Sequence, residues 1–144
     1  MAKKGWKQKG GLCIYCGRIM KPLTEDHIPP SCLFTEPWPT NLIKARSCLE
    51  CNNRASDDDE YFKRCIVLSS EVQGHPEAKK RLPSIIRSLR MPEKEKQSRE
   101  FLSSLTPVHL LSGKGPNRGE TRSYEVDLER MSRVINRKIG RAHV

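Results

Sequence analysis

The sequence predicts an α+β fold: a small hairpin-and-helix core stapled by a four-cysteine metal site, with a mainly helical C-terminal extension. Three observations predict it. Two Cys-x-x-Cys pairs, Cys13/Cys16 and Cys48/Cys51, are separated by thirty-one residues. Between them, two extended segments flank a stretch with four prolines, Pro29, Pro30, Pro37 and Pro39. From about Leu49 the apolar spacing becomes helical and continues so, with breaks, through most of the chain.

Each element follows in order. Residues 1–12 hold four lysines and no acid, a basic arm that Trp6 can anchor. Cys13-Ile14-Tyr15-Cys16-Gly17 has the form of a zinc knuckle, two thiolates across a tight turn with a permissive glycine after the second. Arg18 to Ile28 reads as extended and ends where Pro29-Pro30 stops a helix or a central strand. Cys32-Leu33-Phe34 makes a short apolar turn, and a second extended segment runs from Asn41 to about Ser47, giving a hairpin with a long, proline-stiffened loop. The helix that follows places Tyr61, Phe62, Cys65 and Ile66 on one face and ends by Ser70 or Gly74. Ser56 is expected to cap a helix start, with Asp57-Asp58-Asp59-Glu60 favourable in the first turn.

The extension, 73–144, carries one or two helices over residues 77–105, with the stripe Leu82, Ile85, Ile86, Leu89 before Pro92 and Phe101, Leu102, Leu105 after it. Residues 112–120 are a loop, too short in glycine spacing at Gly113-Lys114-Gly115 for a phosphate-binding loop. An amphipathic helix is expected over 124–139, with Val126, Leu128, Met131, Val134, Ile135 and Ile139 apolar. Its stripe needs a partner, either the 82–89 stripe or a second chain. The domain division expected is an arm (1–12), a metal-stapled core (13–72) and the basic helical extension (73–144).

Composition sets the class. Of 144 residues only 35% are hydrophobic and 6% aromatic, so the core is thin and a metal staple would help it fold. No stretch approaches the ~20 apolar residues of a membrane span. The basic N-terminus lacks the apolar run of a signal peptide, and the expected setting is the cytoplasm. Six cysteines in a reducing compartment read as metal ligands rather than disulfides, with Cys32 and Cys65 left as small buried hydrophobes.

The net charge of +10 is unevenly spread. Residues 13–70 hold seven basic against eight acidic side chains, whereas residues 71–144 hold sixteen against nine. The excess lies outside the cysteine-framed core and fits a polyanionic partner, nucleic acid first. Lys44, Arg46, Arg54, Lys79, Lys80 and Arg81 are the candidate contacts. Four cysteine ligands leave no open position on their ion, so this zinc is structural. A second, hard ion such as Mg²⁺ can be held by the Asp26 carboxylate and the Asn52 amide, with His27 taking a proton from water.

Cys13-x-x-Cys16, Glu25-Asp26-His27-Ile28-Pro29-Pro30, Asn41-Leu42 and Cys48-Leu49-Glu50-Cys51-Asn52-Asn53, in that order, resemble the motif of the HNH endonucleases. The resemblance covers roughly residues 13–62 and implies a ββα-metal fold. It implies that His27 is the general base and that Asp26 and Asn52 bind the catalytic divalent ion. Asn41 would hold the loop and orient His27, and the four cysteines would match the structural zinc of many members. Asn52 stands where many relatives have His, and Arg54-Ala55-Ser56 stand where a Lys is often found. The activity implied is hydrolysis of a phosphodiester, most readily in DNA. Two other readings fit the same residues: a zinc-stapled nucleic-acid-binding module without catalysis, and a zinc domain that binds protein through its late helices. Oligomeric state is open at this level.

Overall fold

The computed structural model describes residues 10–72, 74–109 and 120–140. The basic arm up to residue 9, with Trp6, and the 113–115 segment lie outside the described residues. The described chain is mixed α and β: four helices and three two-stranded antiparallel sheets, with the four cysteines clustered. It divides into two compact units, Met1–Leu82 with Leu128–Val144, and Pro83–Asp127.

In the first unit, β1 (Gly11–Leu12) pairs with β2 (Ile19–Met20) around the Cys13–Cys16 turn. Gly17 adopts a φ of +68, a left-handed conformation that glycine enters without steric cost. Its N–H donates to the Cys13 carbonyl at 2.9 Å, closing the knuckle. β3 (Leu23–Ile28) pairs antiparallel with β4 (Ile43–Cys48), with His27 opposite Lys44, Glu25 opposite Arg46 and Leu23 opposite Cys48. The loop between them holds a 3₁₀ turn at Ser31–Leu33, where the apolar turn is expected. The Ile14 N–H donates to the Arg46 carbonyl at 3.0 Å, so the knuckle is hydrogen-bonded to β4.

β4 runs straight into α1 (Leu49–Leu68). Cys48 is the N-cap, its sulfur accepting from the Cys51 N–H. Ser56 therefore lies inside the helix, and its hydroxyl donates back to the Asn53 carbonyl at 2.8 Å instead of capping. The Asp57–Glu60 run is mid-helix as well, too far from the N-terminus for the helix dipole to account for it. Glu60 pairs with Lys63 within α1, whereas Asp58 and Asp59 find their partners on α4 (Leu128–Ile139), which belongs to the same unit and packs on α1. α4 begins at Leu128, four residues later than the expected start, and buries Val134 while leaving Leu128 at 73% exposure. Among the described side chains the apolar stripe is only partly buried, and ion pairs of Arg130, Arg133 and Arg137 join α4 to α1. Core residues of this unit include Leu23, Ile28, Cys13, Cys48, Ala55, Cys65 and Val67.

α2 (Pro76–Ser88) spans the division between units; within the first, Glu77 accepts from the Thr35 hydroxyl at 2.9 Å. The second unit holds the end of α2, a 3₁₀ turn at Pro92–Lys94, α3 (Glu95–Ser103) and a hairpin of β5 (Thr106–His109) with β6 (Glu120–Ser123). Pro92 breaks the helical run as the sequence predicts. The hairpin does not appear in the sequence reading of a mainly helical extension. Phe101 and Tyr124 meet edge to face, ring centres 5.4 Å apart.

Candidate functional site

The cysteine cluster is built by the knuckle and by the β4–α1 junction. The four sulfurs lie within 4.8 Å of one another, with Cys13 and Cys48 fully buried. A tetrahedral zinc with bonds of about 2.3 Å would hold its sulfurs about 3.8 Å apart, so the cluster can hold a structural metal ion such as zinc. The backbone is arranged for thiolates: the Cys48 N–H donates to the Cys13 sulfur at 3.3 Å. Burial pushes the Cys13 thiol up, yet the N–H groups of Cys16, Cys48 and Tyr15 outweigh it and bring the thiol down to about 6. Cys51 goes the other way, to about 12, through burial and the neighbouring sulfurs. Four thiolates cannot share this space without a cation between them, which is the electrostatic reason the set suits a metal.

Above the cluster, the β3–β4 hairpin presents two faces, because successive strand side chains alternate. One face carries Glu25 and His27 on β3 with Arg46 and Lys44 opposite them. Lys44 and Arg46 are exposed and His27 is half-buried, its ring edge-on to Trp38 at 5.5 Å. Burial, then the Lys44 charge, holds the His27 imidazole below its ordinary 6.5, so it is neutral at pH 7 and able to accept a proton. Lys44 also pairs with Glu25 at 3.2 Å. Asn41 is exposed in the turn before β4, and no hydrogen bond from it to His27 is present among the described residues.

The opposite face carries Thr24 and Asp26 against α1 and α4. The Asn52 amide, in the first turn of α1, donates to the Thr24 hydroxyl at 3.2 Å, which brings Asn52 to the face on which Asp26 stands. Asp26 is 6% exposed. One of its oxygens accepts from the Tyr15 hydroxyl and the other from the Lys138 ammonium. Lys138 also donates to the His27 carbonyl at 3.2 Å and lies 3.6 Å from Asp59. Burial and the Asp26 carboxylate push the Tyr15 phenol above its usual value, and burial lifts the Asp59 carboxyl. The oxygen donors of Asp26 and Asn52 suit a hard divalent ion in kind. They do not fit one as arranged, because a protein cation already sits on Asp26 and a hydroxyl holds its second oxygen.

The sequence-derived contact residues fall on three elements: Lys44 and Arg46 on β4, Arg54 on α1, and Lys79, Lys80 and Arg81 on α2. Lys80 pairs with Glu77 at 2.7 Å. Arg54 lines a groove of about 530 Å³ between α1 and α4 with Tyr15, Asp58, Arg133, Asn136 and Arg137. Sequence reasoning missed Tyr15, Lys138 and the α4 arginines. Arg130, Arg133 and Arg137 recur at helical spacing, and that row opposite the Asp57–Asp59 run was the available signal.

No helix among the described residues is long and apolar enough to cross a membrane. Comparison of the chain with models of protein families, with curated proteins and with solved structures finds no match.

Proposed function

We propose that this chain is a zinc-stapled endonuclease of the HNH type that hydrolyses phosphodiester bonds in DNA, with His27 as the base. The observation that carries the reading is the hairpin face on which a neutral His27 stands beside Lys44 and Arg46, on a hairpin that feeds directly into a helix capped by the cysteine cluster. The motif order Asp26-His27, Asn41, Asn52 supplies the family expectation, and the β3–β4–α1 succession is compatible with a ββα core.

In this reading Lys44 and Arg46 hold the phosphate, contributing charge and little sequence preference. His27 takes one proton from water as the water oxygen bonds to phosphorus. The phosphorus–oxygen bond to the leaving group breaks, and the leaving oxygen takes a proton from solvent. The products are a phosphomonoester and a free hydroxyl. Lys44 serves twice, attracting the substrate and keeping the base unprotonated. No step is assigned to a divalent ion, since the Lys138 ammonium already supplies the positive charge on Asp26.

The test is relaxation of supercoiled plasmid by the purified protein with Mg²⁺, Mn²⁺ or EDTA, beside a His27→Ala variant of equal zinc content. Nicking by the parent that disappears in the variant is the expected outcome. Equal nicking by both removes His27 from the mechanism. Retarded DNA without cleavage by either turns the reading to a binding module, which the same cationic face would also serve.

A further inference from the structure

Lys138 is 2% exposed, the most deeply buried charged side chain among the described residues. A buried ammonium is stable only where oxygens replace its water. Lys138 has three such oxygens: a carboxylate oxygen of Asp26, one of Asp59 and the His27 carbonyl. This is the environment a cation ligand set provides, drawn from the strand that carries Asp26 and from α1. The cation reaches it from α4, 112 positions along the chain from Asp26.

We infer that Lys138 is a built-in cation that occupies Asp26 in place of a divalent ion, so that docking of α4 and binding of a divalent ion at Asp26 exclude each other. The inference rests on the HNH resemblance, which implies that Asp26 is an ion ligand, and not on the ion-free hydrolysis proposed above. Its physical basis is charge. An ammonium and a divalent ion on one carboxylate repel, and burial leaves little water to screen them. The rest of the α4 seam is of a kind that can release. Arg130 and Arg133 bind Asp58 at 2.9 and 2.8 Å, and Arg137 binds Asp59. Among the described side chains of α4, Val134 is buried, whereas Leu128 and Ile135 stay exposed. Arg133 is half exposed, so its pair with Asp58 weakens with salt and with competing phosphate, which an apolar contact would not do. α4 therefore acts as a latch: closed, it supplies Lys138 to Asp26; open, it leaves Asp26 and Asn52 to an ion.

The experiment is calorimetric titration of the zinc-loaded full chain with Mn²⁺, comparing the parent, Lys138→Gln, and Lys138→Gln combined with Asp26→Asn. Lys138→Gln is expected to bind Mn²⁺ at least tenfold more tightly than the parent, and Asp26→Asn is expected to abolish that gain. Equal affinity in the parent and Lys138→Gln, or a gain that survives Asp26→Asn, overturns the inference. If zinc content or circular dichroism shows Lys138→Gln misfolded, hydrogen exchange on the parent decides. Saturating Mn²⁺ is expected to speed exchange of the Leu128–Ile139 amides and leave those of Glu95–Ser103 unchanged; an unaltered α4 overturns the inference. Plasmid cleavage is scored separately: a Mn²⁺ gain without cleavage removes the nuclease reading and leaves the exclusion standing.

Discussion

Arg130 donates from Nε to Asp58 at 2.9 Å, joining the last described helix to the middle of the first across 72 positions of sequence. The same guanidinium lies over the Tyr61 ring, 4.2 Å from its centre. Asp58 also takes Arg133, so a single carboxylate gathers two cations. Asp58→Asn is expected to lower stability on the order of 1 kcal/mol, since charge-assisted bonds at a partly exposed site are screened. A urea melt followed by circular dichroism reads the change; a shift within error would show that α4 is held by other contacts.

The same carboxylate sets a pH dependence. Arg133, then Arg130, holds Asp58 below the ordinary 3.8. A depressed folded value gives stability that is complete above 3.8 and is lost as pH falls through that lower value. Asp59 has the opposite sign: burial raises its carboxyl, so its ionisation costs stability as pH rises above 3.8. Acid release of α4 through Asp58 is therefore expected below pH 3.8. Exchange rates of the α4 amides across an acid titration check this, and Asp58→Asn should flatten the acid limb.

Tyr15 offers a test of the buried face. Tyr15→Phe keeps the ring and removes the hydroxyl that donates to Asp26, leaving one carboxylate oxygen without its partner in a buried place. The expected cost is about 1–3 kcal/mol. Chemical denaturation of the zinc-loaded variant measures it, and a neutral result would mean that water reaches Asp26.

On the opposite face, Lys44→Ala is expected to weaken DNA binding uniformly across sequences and to reduce the salt slope by about one. Fluorescence anisotropy with one duplex at several salt concentrations measures both. An unchanged slope would remove Lys44 from the proposed DNA contact and make the Arg54 groove the next surface to test.

Metal removal should act as denaturation. Cys13 and Cys48 are completely buried, and Leu23, opposite Cys48 in the hairpin, is buried with them in a thin core. Thiolate–zinc ligation is worth on the order of 10 kcal/mol in small domains, more than the whole stability of many folds. Chelation is expected to abolish the dichroism of the first unit, and zinc added back should restore it.

Much of the first unit was legible in the sequence because local rules govern it. Cysteine spacing located the cluster, Pro29-Pro30 ended β3 beside Ile28, and α1 begins at Leu49, where the apolar pattern changes. What local rules could not show is where a polar helix lands. Ser56 before an acidic run resembles a cap, but Cys48 already caps the helix and Asp58 and Asp59 face a helix more than seventy positions away. The burial of Lys138 is of the same kind. Lysine on an amphipathic helix is ordinarily solvated, and only the tertiary meeting of α4 with Asp26 and Asp59 gives its charge somewhere to go. The β5–β6 hairpin was missed because its strands are four residues each and include a proline, Pro107.

Cys48 is at once the last residue of β4, the cap of α1 and a member of the cysteine cluster. The hairpin and the helix are therefore indexed to each other without slack. Inserting one residue in Ile43–Cys48 would flip the strand's alternation relative to the cluster and turn Lys44 away from His27. One residue added between Cys48 and Asn52 would swing the amide by about 100° around the helix, off Thr24. Residues 29–42 are held at separate points, Thr35 on Glu77 and Trp38 on His27, and no alternation or helical turn fixes the number of residues between those points. Length variation in variants of this chain, engineered or inherited, is thus expected to accumulate in that loop and to be excluded from the ten residues that follow it.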